Sequence, residues 1–143
     1  MNYILDSESM TAKVTESTDV SGDVVLPGTV SYGGKAYALT SVGDNAFAEC
    51  EEIMSVAIPS GVTSIGRSVF YGCTSLTSVT VPYGVSTIGD EAFYFCFSLV
   101  SADLPSSVTS IENNAFYGCS GLTSITIPSS VAFIGEGAFR YCI

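Results

Sequence analysis

The stretch Leu76-Thr77-Ser78-Val79-Thr80-Val81-Pro82-Tyr83-Gly84-Val85-Ser86-Thr87-Ile88-Gly89-Asp90-Glu91-Ala92-Phe93-Tyr94-Phe95-Cys96 decides the fold, because its spacing recurs along most of the chain. Five cysteines, Cys50, Cys73, Cys96, Cys119 and Cys142, follow one another at steps of 23 residues, and Phe47, Phe70, Phe93, Phe116 and Phe139 keep the same step. So do Val42, Ile65, Ile88, Ile111 and Ile134, and so do Pro59, Pro82, Pro105 and Pro128. A constant period of this length marks a solenoid, in which each unit is one coil whose apolar face is covered only by its neighbours.

Within one unit, Val79-Thr80-Val81 alternates apolar and polar and reads as a short strand, which Pro82 ends by removing a backbone donor. Past Gly84, Val85-Ser86-Thr87-Ile88 reads as a second extended edge. Gly89-Asp90-Glu91-Ala92-Phe93 reads as a turn into a short helical segment, with its acids near the start. Each coil is then a rough triangle, and stacking coils about 4.8 Å apart turns every apolar position into an internal row. Burying a large apolar side chain contributes roughly 1.5–3 kcal/mol, so the rows offset the ordering entropy only as an array.

Residues 1–41 do not keep the period. Val24-Val25-Leu26-Pro27 matches the strand that ends Ala57-Ile58-Pro59, but Pro27 lies 32 residues before Pro59. Alternation in Ala12-Lys13-Val14-Thr15 and in Lys35-Ala36-Tyr37-Ala38-Leu39, the latter preceded by Gly33-Gly34, points to a β-hairpin-like cap over the first coil. The expected organisation is one folded domain, with a cap over 1–41 and an array over 42–143 of four full units and a partial fifth. That fifth unit stops before its strand, leaving Leu122, Ile125, Ile127 and Val131 beside an unpaired strand edge, so a homodimer through the C-terminal end is expected.

The 143 residues carry 14 acidic and 4 basic side chains, for a formal charge of −10, and no histidine. That balance repels phosphate backbones and anionic headgroups, so nucleic acid is not an expected partner. Direct membrane insertion is not expected either, since no run approaches the roughly 18 apolar residues of a membrane span. The start, Met1-Asn2-Tyr3-Ile4-Leu5-Asp6, reads as no targeting segment. Without histidine the serines have no partner to activate them and zinc loses its commonest ligand, so the chain reads as a non-enzyme with no cofactor.

Several motifs have plain structural readings. The cysteines lack the close pairs of a metal site, and their odd number leaves one over in any disulfide scheme; Cys50, Cys73, Cys96, Cys119 and Cys142 read as a structural ladder of buried thiols. Asp90-Glu91 and Glu49-x-Glu51-Glu52 lack the alternating oxygen ligands of a Ca²⁺ loop and read as solvated turn charge. Gly135-Glu136-Gly137, whose first glycine shares a row with Gly43, Gly66 and Gly89, reads as turn glycine.

Outward rows are free of packing duty and can carry function. Tyr71, Tyr94 and Tyr117 form one, with Ala48 and Arg140 at its ends; such tyrosines either shield the phenylalanine row or make contacts. The third unit departs from the pattern: Phe95 replaces the glycine of Gly72 and Gly118, and Phe97 replaces Thr74 or Ser120. Two extra aromatic residues beside Tyr94 read as a contact patch. On the strand face, Ser78, Ser101 and Ser124 and, in the next row, Thr80, Asp103 and Thr126 make a flat hydroxyl surface that suits hydration as well as recognition.

The unit Leu-x-x-Val-x-Val-Pro-x-x-Val-x-x-Ile-Gly-x-x-x-Phe-x-x-Cys, read from Leu76 to Cys96, resembles the BspA-type leucine-rich repeats of bacterial, treponemal and trichomonad surface proteins. The resemblance covers about residues 42–143, and the lead-in from Val24 to Gly43 is similar too. It implies a β-rich repeat solenoid with one parallel sheet of short strands, short helical turns and the hairpin-like cap. It also implies a secreted or surface-anchored protein-binding module whose ligand is a host matrix or cell-surface protein. The alternative is a structural spacer within a longer repeat protein, with no partner of its own.

Overall fold

In the computed structural model, which describes residues 1–142, the chain opens with two antiparallel pairs. Strand β1 (Asn2–Asp6) pairs with β2 (Thr11–Thr15), and β4 (Thr29–Tyr32) pairs with β5 (Lys35–Val42). Gly33 and Gly34 make the second turn possible, with φ of 58° and 75°, the left-handed backbone that a two-residue hairpin needs at both central positions. Parallel pairing of β2 with β5 joins the hairpins into one sheet in the order β1-β2-β5-β4.

Between the hairpins, β3 (Gly22–Val25) leaves this sheet and starts the first ladder of the solenoid. Strands β6 (Ile53–Ala57), β8 (Ser78–Thr80) and β10 (Ser101–Asp103) follow it in parallel, giving the order β10-β8-β6-β3. Ser55 lies on Ser78 and Ser78 on Ser101, so the 23-residue period is the register itself. The second edge is a set of two-residue strands: β7 (Ser64–Ile65) on β5, and β9 (Thr87–Ile88), β11 (Ser110–Ile111) and β12 (Phe133–Ile134) in a sheet of their own. The fourth coil departs from the one-strand-per-coil expectation, because Ser124–Thr126 keeps the outward pattern without strand pairing. On this edge alone, no further strand follows Ser124–Thr126 among the described residues.

The third edge of each coil corrects the expectation of a short helical segment: no helix forms among the described residues. Two residues per coil take left-handed backbone there, Asn45 and Glu49, Ser68 and Gly72, Glu91 and Phe95, Asn114 and Gly118, and Gly137 and Tyr141. The reversals aim alternate N–H groups along the solenoid axis instead of back into a helical turn. Phe47 N–H donates to Val69 O at 2.9 Å, Phe70 to Ala92 at 2.8 Å, Phe93 to Ala115 at 2.7 Å and Phe116 to Ala138 at 2.8 Å. Backbone groups that a helix would satisfy locally are thus satisfied by the next coil.

The core fills the triangle. Phe47, Phe70, Phe93, Phe116 and Phe139 stack face on face, with ring centroids 5.6, 5.3, 5.0 and 5.3 Å apart. Beside them the thiols bond to the previous coil: Cys73 Sγ donates to Phe47 O, Cys96 to Phe70 O, Cys119 to Phe93 O and Cys142 to Phe116 O, at 3.0–3.1 Å. All five cysteines are free; Cys142, in the last coil, is half-buried and the other four are buried. At the opposite end Ser17 closes the ladder. It is 3% exposed, its O–H donates to Thr15 O at 2.9 Å, its N–H donates to Ala46 O, and its carbonyl accepts from Cys50.

The glycine row needs a different reason from the turn reading given by sequence. Gly43, Gly66, Gly89 and Gly135 are not in left-handed backbone; they stand where coils approach closely, and a Cβ on Gly89 would sit 2.8 Å from Gly66 O. Glu112 occupies the same row in the fourth coil and keeps its N–H bonded to Ile88 O at 2.9 Å.

Two outcomes follow from this packing. Phe93→Ala, at the middle of the ring ladder, is expected to cost about 3–5 kcal/mol in urea unfolding, and Phe139→Ala, half-buried in the last coil, distinctly less. Burial pushes the thiols of Cys73 and Cys119 up to about 12, above their unfolded value, so the stability tied to their neutral form is complete below the unfolded pKa and declines as pH rises through the folded one. Unfolding free energy of the wild type should therefore fall between about pH 9 and 12, and the Cys73→Ala/Cys119→Ala variant should lose less over that window.

Candidate functional site

A solenoid row fixes the neighbours of every side chain, since each position lies about one strand spacing, 4.8 Å, from its copy. Just after the core phenylalanines, Tyr71, Tyr94 and Tyr117 use this to stack face to face, with centroids 5.0 and 4.7 Å apart and planes 3° and 4° from parallel. All three are half-buried.

Phe95 follows Tyr94 with φ 58°, at the position where Gly72 and Gly118 have 69° and 74°. Left-handed backbone under a bulky side chain costs on the order of 1–2 kcal/mol. The ring is held at that position by Tyr94 at 4.4 Å, Phe97 at 5.3 Å and Tyr117 at 5.8 Å. Gly118 makes its room, because a Cβ there would stand 2.5 and 2.9 Å from two carbons of the Phe95 ring. In the same way Glu49 lies over Gly72, its carboxylate 3.5–3.6 Å from where a Cβ would be. The row Glu49, Gly72, Phe95, Gly118, Tyr141 therefore alternates a large side chain with the glycine that accommodates it.

Phe95 and Phe97 are 37% and 46% exposed, and Tyr141 is 53% exposed. Tyr141 meets Tyr117 edge to face at 5.2 Å, and the Arg140 guanidinium lies 5.1 Å from the Tyr141 ring centre. The structure thus brings Tyr71, Tyr94, Phe95, Phe97 and Tyr117 into one aromatic ridge. Sequence reading missed Tyr141, which extends it; the signal was there, since Tyr141 stands two periods of 23 residues after Phe95.

The strand-face candidates lie on another edge of the coil. Ser78, Thr80, Ser101 and Asp103 are exposed on β8 and β10, and Ser124 and Thr126 are exposed beyond the paired strands. Asp23 of β3 adds a second acid to this face, accepting a hydrogen bond from Ser55 Oγ at 2.6 Å. Acids in the turns have structural partners: Asp44 Oδ1 accepts from Arg67 N at 2.9 Å and Asp90 Oδ1 from Asn113 N at 3.2 Å, and Asn113 Oδ1 continues the series to Glu136 N at 2.9 Å.

Residues 39–143 match the BspA type leucine-rich repeat region in six copies. The chain belongs to the BspA-type leucine-rich repeat family. Its fold is similar to that of a leucine-rich repeat protein from Bacteroides ovatus, with 34% identity, a TM-score of 0.89, and coverage of 99% of this chain and 37% of that one. A Treponema pallidum leucine-rich repeat protein is 33% identical with a TM-score of 0.88, covering 99% of this chain and 64% of that one. A leucine-rich cell surface protein from Faecalibacterium prausnitzii is 30% identical over 98% of this chain and 50% of that one, with a TM-score of 0.53. The chain thus spans only part of the length of these relatives. Among curated proteins, none matches it.

In a BspA-type array the row alternation gives a direct test of how Phe95 is held. Gly118→Ala puts a Cβ both on a left-handed backbone and against the Phe95 ring, so it should lower stability by about 1 kcal/mol or more. It should also shift the ring proton resonances of Phe95 and Tyr117, whereas Gly61→Ala, which meets one carbonyl at 3.2 Å, should leave those rings unmoved.

Proposed function

We propose that this chain is a non-enzymatic, protein-binding module of a secreted or cell-surface protein, and that it grips its partner with the aromatic ridge of the third coil. One observation carries the reading: a phenylalanine is kept on left-handed backbone, half in solvent, where both flanking coils use glycine. A packing role alone would be met by glycine at lower backbone cost. Exposed aromatic residues anchored on a rigid frame are what partner proteins bury most favourably, because their few torsions lose little entropy on binding. The similarity to the Faecalibacterium cell surface protein supports the location, and the family resemblance supports adhesion to host matrix or to other cells.

The hydroxyl rows of the strand face serve hydration in this reading, with Asp103 and Asp23 marking its acidic border. A net charge of −10 favours basic or neutral partners and disfavours nucleic acid.

The test is adhesion of beads carrying the full chain to surfaces coated with extracellular-matrix proteins, compared with the Phe95→Gly/Phe97→Ser double variant. Replacing both residues by those of neighbouring coils should keep the melting temperature within a few degrees, since relieved backbone strain offsets lost ring contacts. Retention of wild-type beads should drop at least tenfold in the variant, a change of about 1.4 kcal/mol. Equal retention at equal stability would place the contact elsewhere. No retention of either protein would favour the spacer reading.

A further inference from the structure

The tyrosine stack has an open end. Its row reads Ala48, Tyr71, Tyr94, Tyr117, Arg140, so the coil before Tyr71 offers a methyl group where the next three offer a ring. Over Ala48, beside the place a ring would take, lies an open surface cleft of about 620 Å³ lined by Tyr71, Glu16, Glu49, Arg67 and Glu91. That volume is in the range of small-ligand sites.

Ser68, 6% exposed, donates to Glu91 Oε2 at 3.2 Å, and Glu49 is laid over Gly72 by the alternation described above. Glu16 comes from the cap, next to the Ser17 plug. Three carboxylates thus surround the cleft against one guanidinium, that of Arg67. At the far end of the row, Arg140 follows Tyr117 and sets its guanidinium 5.1 Å from the ring of Tyr141 in the adjacent row, the one such pairing found among the described residues. At the Ala48 end Tyr71 is instead beside three carboxylates and one guanidinium, which leaves the cleft with an excess of negative charge.

We propose that the cleft over Ala48 binds the arginine side chain of a partner protein or peptide, with the guanidinium plane on Tyr71 and its N–H groups on the Glu49, Glu91 and Glu16 carboxylates. A guanidinium is flat enough to continue the stack, is always charged, and donates in a fork that matches carboxylate oxygens. A lysine ammonium supplies the charge without the plane. The site shares Tyr71 with the aromatic ridge but contains neither Phe95 nor Phe97, and its occupancy is read without a macromolecular partner.

Titration of N-acetyl-arginine methylamide into isotope-labelled full chain at low salt, followed by amide shifts, tests the proposal. Shifts should centre on Ala48, Glu49 and Tyr71, with the arginine compound bound about fivefold more tightly than its lysine counterpart. Ala48→Tyr, which completes the stack with the side chain used by the next three coils, should abolish the shifts. Glu49→Gln, an exposed change that leaves folding intact, should weaken them and keeps the test valid if Ala48→Tyr does not fold. Phe95→Gly/Phe97→Ser should bind the arginine compound as wild type does, so failure of the ridge reading and failure of this one are distinguishable. Shifts spread over the acidic surface, equal affinity for arginine and lysine compounds, or undiminished binding by a folded Ala48→Tyr variant would overturn it.

Discussion

Everything in this molecule depends on one constraint: each coil must fit on a copy of itself at the spacing of a β-ladder. On two edges of the triangle the fit is made by parallel strands, and on the third by N–H groups of alternate turn residues donating to the coil that follows. In the core rows this favours side chains that tolerate their own kind above and below. Phenylalanine does so by stacking flat, cysteine by turning its thiol to the previous coil's phenylalanine carbonyl, and glycine by letting backbones approach. The cap obeys the same rule at one end, where the Ser17 carbonyl takes the part of a phenylalanine carbonyl and accepts from Cys50.

The same constraint gives meaning to departures from the repeat. Phe95 and Ala48 both break a row, one by adding a ring and the other by omitting one, and each changes the surface without changing the core beneath it. Phe95 is accommodated because Gly118 lies under it; the gap at Ala48 is walled because Glu49 and Tyr71 stay in register around it. Conventional packing needs neither. An array that is otherwise self-similar confines its individuality to such positions, and these are where recognition can reside.

The period made the rows legible from sequence, and with them the strands, the stacked rings and the thiol ladder. Val79 inward and Ser78 outward follow from alternation alone. What periodicity could not reveal was the sign of φ. Gly89-Asp90-Glu91-Ala92-Phe93 has acids and an apolar pair that suit the start of a helix, yet left-handed backbone at Glu91 and Phe95 turns the N–H groups along the axis, an outcome set by the neighbouring coil and not by local preference. For the same reason the row of Gly43, Gly66 and Gly89 looked like turn glycine when its cause is a close approach between coils. Within the ridge, Phe95 and Phe97 stood out by comparison with adjacent units, whereas Tyr141 and the lining of the Ala48 cleft emerge only when rows from different coils and the cap are set side by side.

Amide hydrogen exchange on the native chain tests most directly whether the turn edge is a structural spine. If alternate N–H groups there bind coil to coil, the amides of Phe47, Phe70, Phe93 and Phe116 should exchange as slowly as those of Val56 and Val79 in the strands, with protection falling toward the fifth coil. Fast, loop-like exchange at those four phenylalanines, with slow exchange confined to the strands, would contradict the account.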